Sequence, residues 1–125
     1  MTMRRMMIVE DELDICQCLA EFFEMKGFSV VSAFSGEEAL TKLEQGPVDV
    51  ILLDILLPGL SGIEVLKRAK ELHPKALAVM VTALDQVDLR DEARKHGAVA
   101  YITKPFDFSP TTWSAVLPSP VQPSS

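Results

Sequence analysis

The sequence is poor in cysteine and lacks a long apolar run. Only two of its 125 residues are cysteines, Cys16 and Cys18. Their spacing matches neither a zinc site nor a redox motif, so we expect two buried thiols in a reducing compartment. The N-terminal apolar run, residues 6–9, ends at Glu10 and is too short for an export signal or a membrane span. The sequence therefore predicts a cytoplasmic protein that does not contact membranes.

Basic residues are also in the minority. The chain has 12 Lys+Arg against 18 Asp+Glu, which gives a formal net charge of −6. Because phosphates attract Lys and Arg, this balance argues against direct binding of nucleic acid. The 48% apolar and 24% charged composition is that of a folded domain rather than a disordered chain. At this length one domain can bury a core without disulfides or a structural metal.

What the sequence does contain is a regular alternation of apolar and amphipathic segments. The apolar segments predict five strands, at residues 6–9, 28–33, 48–53, 76–81 and 98–103. Because no hairpin turn signal joins consecutive strands, we predict an α/β fold, a doubly wound five-stranded parallel sheet with helices on both faces.

The connecting segments carry helix signals of unequal strength. Ser35 with Glu38, and Ser61 with Glu64, are capping-box pairs that open the second and third helices. The fourth helix is predicted from an Asp85 cap, and its thin apolar stripe makes it the most loosely held.

The C-terminal segment differs in composition from the rest. Residues 108–125 contain no Asp, Glu, Lys or Arg and hold four of the eight prolines. Ser109 and Pro110 are suitable for the start of a helix, so a short helix over residues 110–117 is predicted. Residues 118–125 are predicted to be disordered.

Polar residues follow four of the five predicted strands. Carboxyl ends of parallel strands share one edge of a sheet, where such folds bind ligands. The residues concerned are Glu10, Asp11, Asp54, Thr82 and Lys104. Neighbouring carboxylates repel one another unless a cation joins them, and Mg²⁺ prefers such oxygen ligands. With the metal bound, Asp54 can act as a nucleophile towards phosphorus while Lys104 and Thr82 bind the phosphoryl oxygens.

Four segments together resemble the receiver domain of two-component response regulators. They are Ile8–Glu12, Leu52–Gly62, Val81–Ala83 and Tyr101–Phe106. The resemblance covers residues 4 to about 107, which we take as the domain, and it implies the flavodoxin-like strand order 2-1-3-4-5.

The resemblance also implies a role for each site residue. Asp54 would accept a phosphoryl group from a sensor histidine kinase or a phosphotransfer protein, which makes the chain a phosphoryl acceptor rather than an enzyme. The implied magnesium ligands are Asp11, Asp54 and the backbone carbonyl of Leu56, with Glu10 acting through water. The implied phosphoryl contacts are Lys104, Thr82 and the backbone N–H of Ala83. Thr82 and Tyr101 would form the switch pair, and Lys104-Pro105 is often a cis peptide in this family.

The sequence departs from the family at its C-terminal end. The family carries a full fifth helix where this chain has an uncharged, proline-rich segment. The fifth helix is therefore short, displaced, swapped with a partner or missing, and apolar surface on the fifth strand and first helix is left for a homodimer. The alternative function is an interaction or dimerisation module with this fold whose signalling is impaired.

Overall fold

The structure is a computed structural model that describes residues 4–117, and within them five strands alternate with four α-helices. The strands are β1 (Arg5–Val9), β2 (Ser29–Ala33), β3 (Val50–Leu53), β4 (Leu77–Thr82) and β5 (Ala98–Thr103). The helices are α1 (Leu13–Met25), α2 (Gly36–Gln45), α3 (Gly62–Leu72) and α4 (Val87–Lys95). All strand pairs are parallel, in the order β2-β1-β3-β4-β5. The predicted fold class and strand order are confirmed.

The sheet is covered on both faces because its middle strand, β3, is apolar at every position. All four residues of β3 are buried, and successive side chains of a strand point to opposite faces. Ile51 and Leu53 therefore join the core beneath α2, α3 and α4. Val50 and Leu52 join a second core with α1.

Two of the predicted helix starts are present, and a third differs. Ser35 Oγ accepts the N–H of Glu38 at 3.1 Å, and Ser61 Oγ accepts that of Glu64 at 3.4 Å. The predicted Asp85 cap is wrong, because α4 begins at Val87 with Gln86 as its N-cap. The Asp85 carboxylate is instead paired with the Arg90 guanidinium at 2.8 Å, so it is not placed to cap the helix.

The prediction of two buried cysteines is half wrong. Cys16 is buried in α1, three residues before Leu19, whereas Cys18 is exposed. Two residues along a helix correspond to about 200°, so the two thiols point in nearly opposite directions.

The C-terminal segment covers one face of the sheet without forming a regular helix. Trp113 and Val116 pack there with Phe23 of α1 and Ile102 of β5, so the prediction that this apolar surface is left uncovered is wrong for these residues. Residues 110–116 are a series of turns, so the predicted helix over residues 110–117 is not formed. Trp113 is fully buried, 5.1 Å from the Phe23 ring of α1, and its Nε1–H donates to the Asp107 carbonyl at 2.7 Å. The tail predicted to be disordered, 118–125, lies outside the described residues.

No helix between residues 4 and 117 is long and apolar enough to cross a membrane.

Candidate functional site

Three of the five predicted polar residues, Glu10, Asp54 and Lys104, meet at the carboxyl edge of the sheet. Backbone bonds extend the parallel pairing just beyond the strands, with the Asp54 N–H on the Val9 carbonyl at 3.1 Å and the Lys104 N–H on the Thr82 carbonyl at 2.9 Å. The sheet itself therefore fixes the positions from which Asp54 and Lys104 extend into the site.

The centre of the site is a lysine shared by three carboxylates. Lys104 Nζ lies 2.7 Å from Glu10 Oε1, 2.7 Å from Asp54 Oδ2 and 3.1 Å from Glu12 Oε1. Glu10 and Asp54 are 2% and 3% exposed, and they are two of the three buried polar residues in the described part of the chain. The third is Thr82, at the end of β4.

Burial and ion pairing act in opposite directions on these groups. Burial lowers the pKa of Lys104, but its hydrogen bonds with Asp54 and Glu10 outweigh that effect and raise the pKa above its usual range. Burial also raises the pKa of Glu10, and the bond from Lys104 opposes this only in part. A single ammonium is divided among three acids, so it does not offset the burial of Glu10 completely.

The loop after β3 holds Asp54 in a fixed orientation. The Leu56 N–H donates to Asp54 Oδ1 at 3.1 Å, and the Gly62 N–H donates to the Ile55 carbonyl at 2.9 Å. A Cβ atom at position 62 would overlap the Asp54 carbonyl oxygen, so this tight loop requires glycine there. Lys104-Pro105 is a cis peptide, as predicted.

The acidic residues that meet are not the full predicted set. Carboxylate oxygens of Glu10, Glu12 and Asp54 lie within 4.8 Å of one another, whereas Asp11 is exposed and does not belong to this group. The backbone leaves β1 at Val9 and bends at Asp11, and this path brings the Glu12 carboxylate to the same side as Glu10. Sequence reasoning missed Glu12, although it belongs to the same acidic run, residues 10–12, as the two predicted acids.

The β4–α4 loop links Thr82 to Tyr101 through the backbone of one residue, Leu84. Thr82 Oγ1 accepts the N–H of Leu84 at 3.4 Å, and the Tyr101 hydroxyl donates to the Leu84 carbonyl at 2.7 Å. The Tyr101 ring packs against the Arg90 guanidinium, 4.7 Å from ring centroid to Cζ. Ala83 lines the same groove as Lys104. The two predicted switch residues are thus connected to each other.

Comparison with known protein families assigns the chain to one family. The model of the response regulator receiver domain family matches residues 6–112. The chain belongs to this family. Receiver domains form part of two-component systems, and they act as phosphoryl acceptors rather than as enzymes.

This receiver domain has curated relatives of two kinds. It is 34% identical over 103 residues to sporulation initiation phosphotransferase F of Bacillus subtilis, covering 82% of this chain and 83% of that protein. It is 38% identical over 101 residues to the uncharacterized transcriptional regulatory protein YkoG of the same organism, covering 81% of this chain and 44% of that protein. The chain thus spans less than half of the length of the regulatory protein.

Solved structures give the same assignment for this receiver domain. A CheY-like receiver domain protein from Methanospirillum hungatei is 32% identical, with a TM-score of 0.82 and 85% of each chain covered. The response regulator TrrA from Thermotoga maritima, solved in complex with Mg²⁺ and BeF, is 32% identical with a TM-score of 0.78. That match covers 90% of this chain and 96% of TrrA.

Proposed function

We propose that Asp54 accepts a phosphoryl group from a histidine kinase or a phosphotransfer protein. The observation that carries this proposal is a buried carboxylate at the end of β3, held by the Leu56 N–H at 3.1 Å and by Lys104 Nζ at 2.7 Å. An Asp54 oxygen attacks phosphorus, the bond between phosphorus and the donor nitrogen breaks, and that nitrogen keeps the electron pair. Lys104 and the Thr82 hydroxyl then contact the phosphoryl oxygens, with the backbone N–H of Ala83.

The donor set of the site fits Mg²⁺, which takes oxygen ligands and retains several waters. Asp54 would hold the metal directly and Glu10 through water. Asp11 and the Leu56 carbonyl complete the proposed set, and Asp11 must turn from its exposed orientation to reach the ion. Magnesium supplies charge neutralisation, which lets an anionic carboxylate approach an anionic phosphoryl group.

The proposed output is a shift of the segment that joins Thr82 to Tyr101. A phosphoryl group on Asp54 draws the Thr82 hydroxyl away from the Leu84 N–H, and the carbonyl of the same residue holds the Tyr101 hydroxyl. New charge at Asp54 therefore changes the environment of α4 and β5.

The proposed partners follow from the family. Receiver domains interact with histidine kinases and phosphotransfer proteins. We propose a cytoplasmic domain over residues 4–107 that does not bind nucleic acid directly.

A homodimer is also proposed, because Val87 and Val99 are 72% and 52% exposed on α4 and β5. A strictly monomeric species in sedimentation equilibrium at high concentration would contradict the homodimer.

Intact-mass spectrometry after incubation with a small acyl phosphate and Mg²⁺ tests the phosphoryl-acceptor proposal. We expect one added phosphoryl group, absent in Asp54→Asn and absent when a chelator removes the metal. An adduct that survives Asp54→Asn would show a different acceptor. A folded chain without any adduct would contradict the proposal.

A second candidate function is an interaction module that no longer signals. It is favoured by the turn-rich segment that stands where the family has its fifth helix. The two functions differ in the response of residues 83–101. Signalling requires that hydrogen exchange there change when a phosphoryl mimic binds, whereas an inert module leaves it unchanged.

A further inference from the structure

Glu12 is the one carboxylate of the lysine cluster that reaches Lys104 from the rim of the site. Its side chain is 61% exposed, while the Glu10 and Asp54 side chains are 2% and 4% exposed. The distance from Glu12 Oε1 to Lys104 Nζ is 3.1 Å, within the range of a charge-assisted hydrogen bond. Glu12 thus holds the ammonium from the solvent side.

The backbone of Glu12 is fixed on both sides. Its N–H donates to Glu10 Oε2 at 3.0 Å, and its carbonyl accepts the N–H of Cys16 at 2.9 Å. Although Glu12 is the N-cap of α1, its side chain accepts no capping bond from that helix. The carboxylate is therefore not used by the helix and is directed to Lys104.

The charges in the site indicate the role of the contact between Glu12 and Lys104. Three carboxylates and one ammonium lie together, so a divalent cation held by Asp54 directly and by Glu10 through water competes with Lys104 for both carboxylates. Without another anion, the buried ammonium would be left beside the incoming cation, which is unfavourable. Glu12 is the remaining anion that contacts Lys104.

We propose that Glu12 is a positioning residue of the divalent-cation site. It keeps the Lys104 ammonium paired when the cation competes for the two buried carboxylates, and it thereby strengthens cation binding. This inference rests on the proposed function and adds a residue to the site that the family resemblance did not supply.

Binding of Mn²⁺ to the full chain, followed by the electron paramagnetic resonance signal of the free ion, tests the proposal. We expect Glu12→Gln to weaken Mn²⁺ binding about tenfold, a typical effect of losing an outer-shell partner. Asp14→Asn is the matched control. Asp14 is also acidic and exposed and lines the same groove, but it is not among the described contacts of Lys104. Its substitution should change the affinity less than about twofold.

A second measurement separates positioning from a general loss of structure. In Glu12→Gln the Mg²⁺ concentration for half-maximal phosphorylation of Asp54 should rise, while the rate at saturating Mg²⁺ stays close to that of the parent. The melting temperature in metal-free buffer should also stay close to the parent value, because Glu12 is largely exposed.

The outcomes separate this inference from the proposed function. If Glu12→Gln and Asp14→Asn weakened Mn²⁺ binding equally, the inference would be overturned. Glu12 would then act only through the overall negative charge of the site and not through its contact with Lys104. Unchanged binding in Glu12→Gln would overturn it as well. If the parent chain itself failed to bind Mn²⁺, the proposed magnesium site would fail, and the inference with it.

Discussion

At the scale of single residues, the site depends on Lys104. This ammonium is the partner of two carboxylates that the fold has removed from water, Glu10 and Asp54. A buried ion pair adds little net stability, but removing one partner is costly because the other charge remains buried. The same arrangement makes Lys104 available to phosphoryl oxygens once the metal is bound.

Replacing Lys104 by Met should therefore destabilise the metal-free protein. We expect the free energy of unfolding in urea at pH 7 to fall by about 3 kcal/mol. Added Mg²⁺ should stabilise Lys104→Met more than the parent, because the cation replaces the missing positive charge. Lys67→Met, on the exposed side of α3, is the control and should be nearly neutral. A Lys104→Met chain as stable as the parent would mean that the carboxylates are hydrated in solution.

A second prediction at this scale concerns the lifetime of the phosphoryl group on Asp54, which depends on Leu56, two positions after it. Leu56 and Leu84 each follow a site residue by two positions, and neither side chain can orient an attacking water. We expect slow loss of the phosphoryl group and a shorter lifetime in Leu56→Asn, measured by intact mass over time. Equal lifetimes of the parent and Leu56→Asn would contradict this expectation.

At the scale of elements, the starts of α2 and α3 share a serine cap but differ in what their glutamates bind. The Glu38 N–H donates to Ser35 Oγ, and Glu38 Oε1 accepts the N–H of Phe34, the residue before the N-cap, at 2.8 Å. Glu38 also pairs with Lys42 at 3.0 Å. For Glu64 the described hydrogen bonds show only the backbone N–H on Ser61, with no reciprocal bond from its carboxylate.

This difference predicts a pH dependence that belongs to α2. The Phe34 N–H, and then Lys42, hold the pKa of Glu38 below its ordinary value of 4.5. A lowered folded-state pKa contributes stability above pH 4.5 that is lost as the pH falls through the folded-state value. Glu38→Gln should thus lower the melting temperature at pH 7, and the difference from the parent should shrink in acid. Glu64→Gln is the control, and a similar pH-dependent difference there would contradict the assignment.

At the scale of the whole molecule, the C-terminal segment takes the place of the missing fifth helix and covers one face of the sheet. Phe108 stacks on Phe22 with ring centroids 4.2 Å apart, and Phe106 lies edge-on to Trp113 at 5.5 Å. Because Phe106 follows the Lys104-Pro105 peptide directly, the covering segment is continuous with the site.

Removing the centre of this aromatic cluster should destabilise the whole domain. Trp113 is fully buried, so Trp113→Ala should cost about 3–5 kcal/mol of unfolding free energy, followed by far-ultraviolet circular dichroism. Trp113→Phe should cost less, because it keeps an aromatic ring. Met25→Ala, at a residue 82% exposed at the end of α1, should change stability by less than about 0.5 kcal/mol. A neutral Trp113→Ala would show that the segment does not pack in solution.

The sequence alone determined what depends on local pattern. Apolar runs and the two Ser-Glu capping pairs predicted strands, helices and a parallel sheet. Residues at four strand ends predicted one site, since the carboxyl ends of parallel strands share an edge. The strand order came from the family resemblance, because periodicity does not say which strands are neighbours.

Tertiary structure decided which way side chains point and which of several possible partners each side chain binds. Glu12 rather than Asp11 meets Lys104 because the backbone bends at Asp11, and Asp85 is paired with Arg90 instead of capping α4. Trp113 lies in turns and yet is buried, because the rings of Phe23, Phe106 and Phe108 pack against it. These outcomes depend on contacts between residues distant in the chain, or on the path of the backbone, which local composition does not specify.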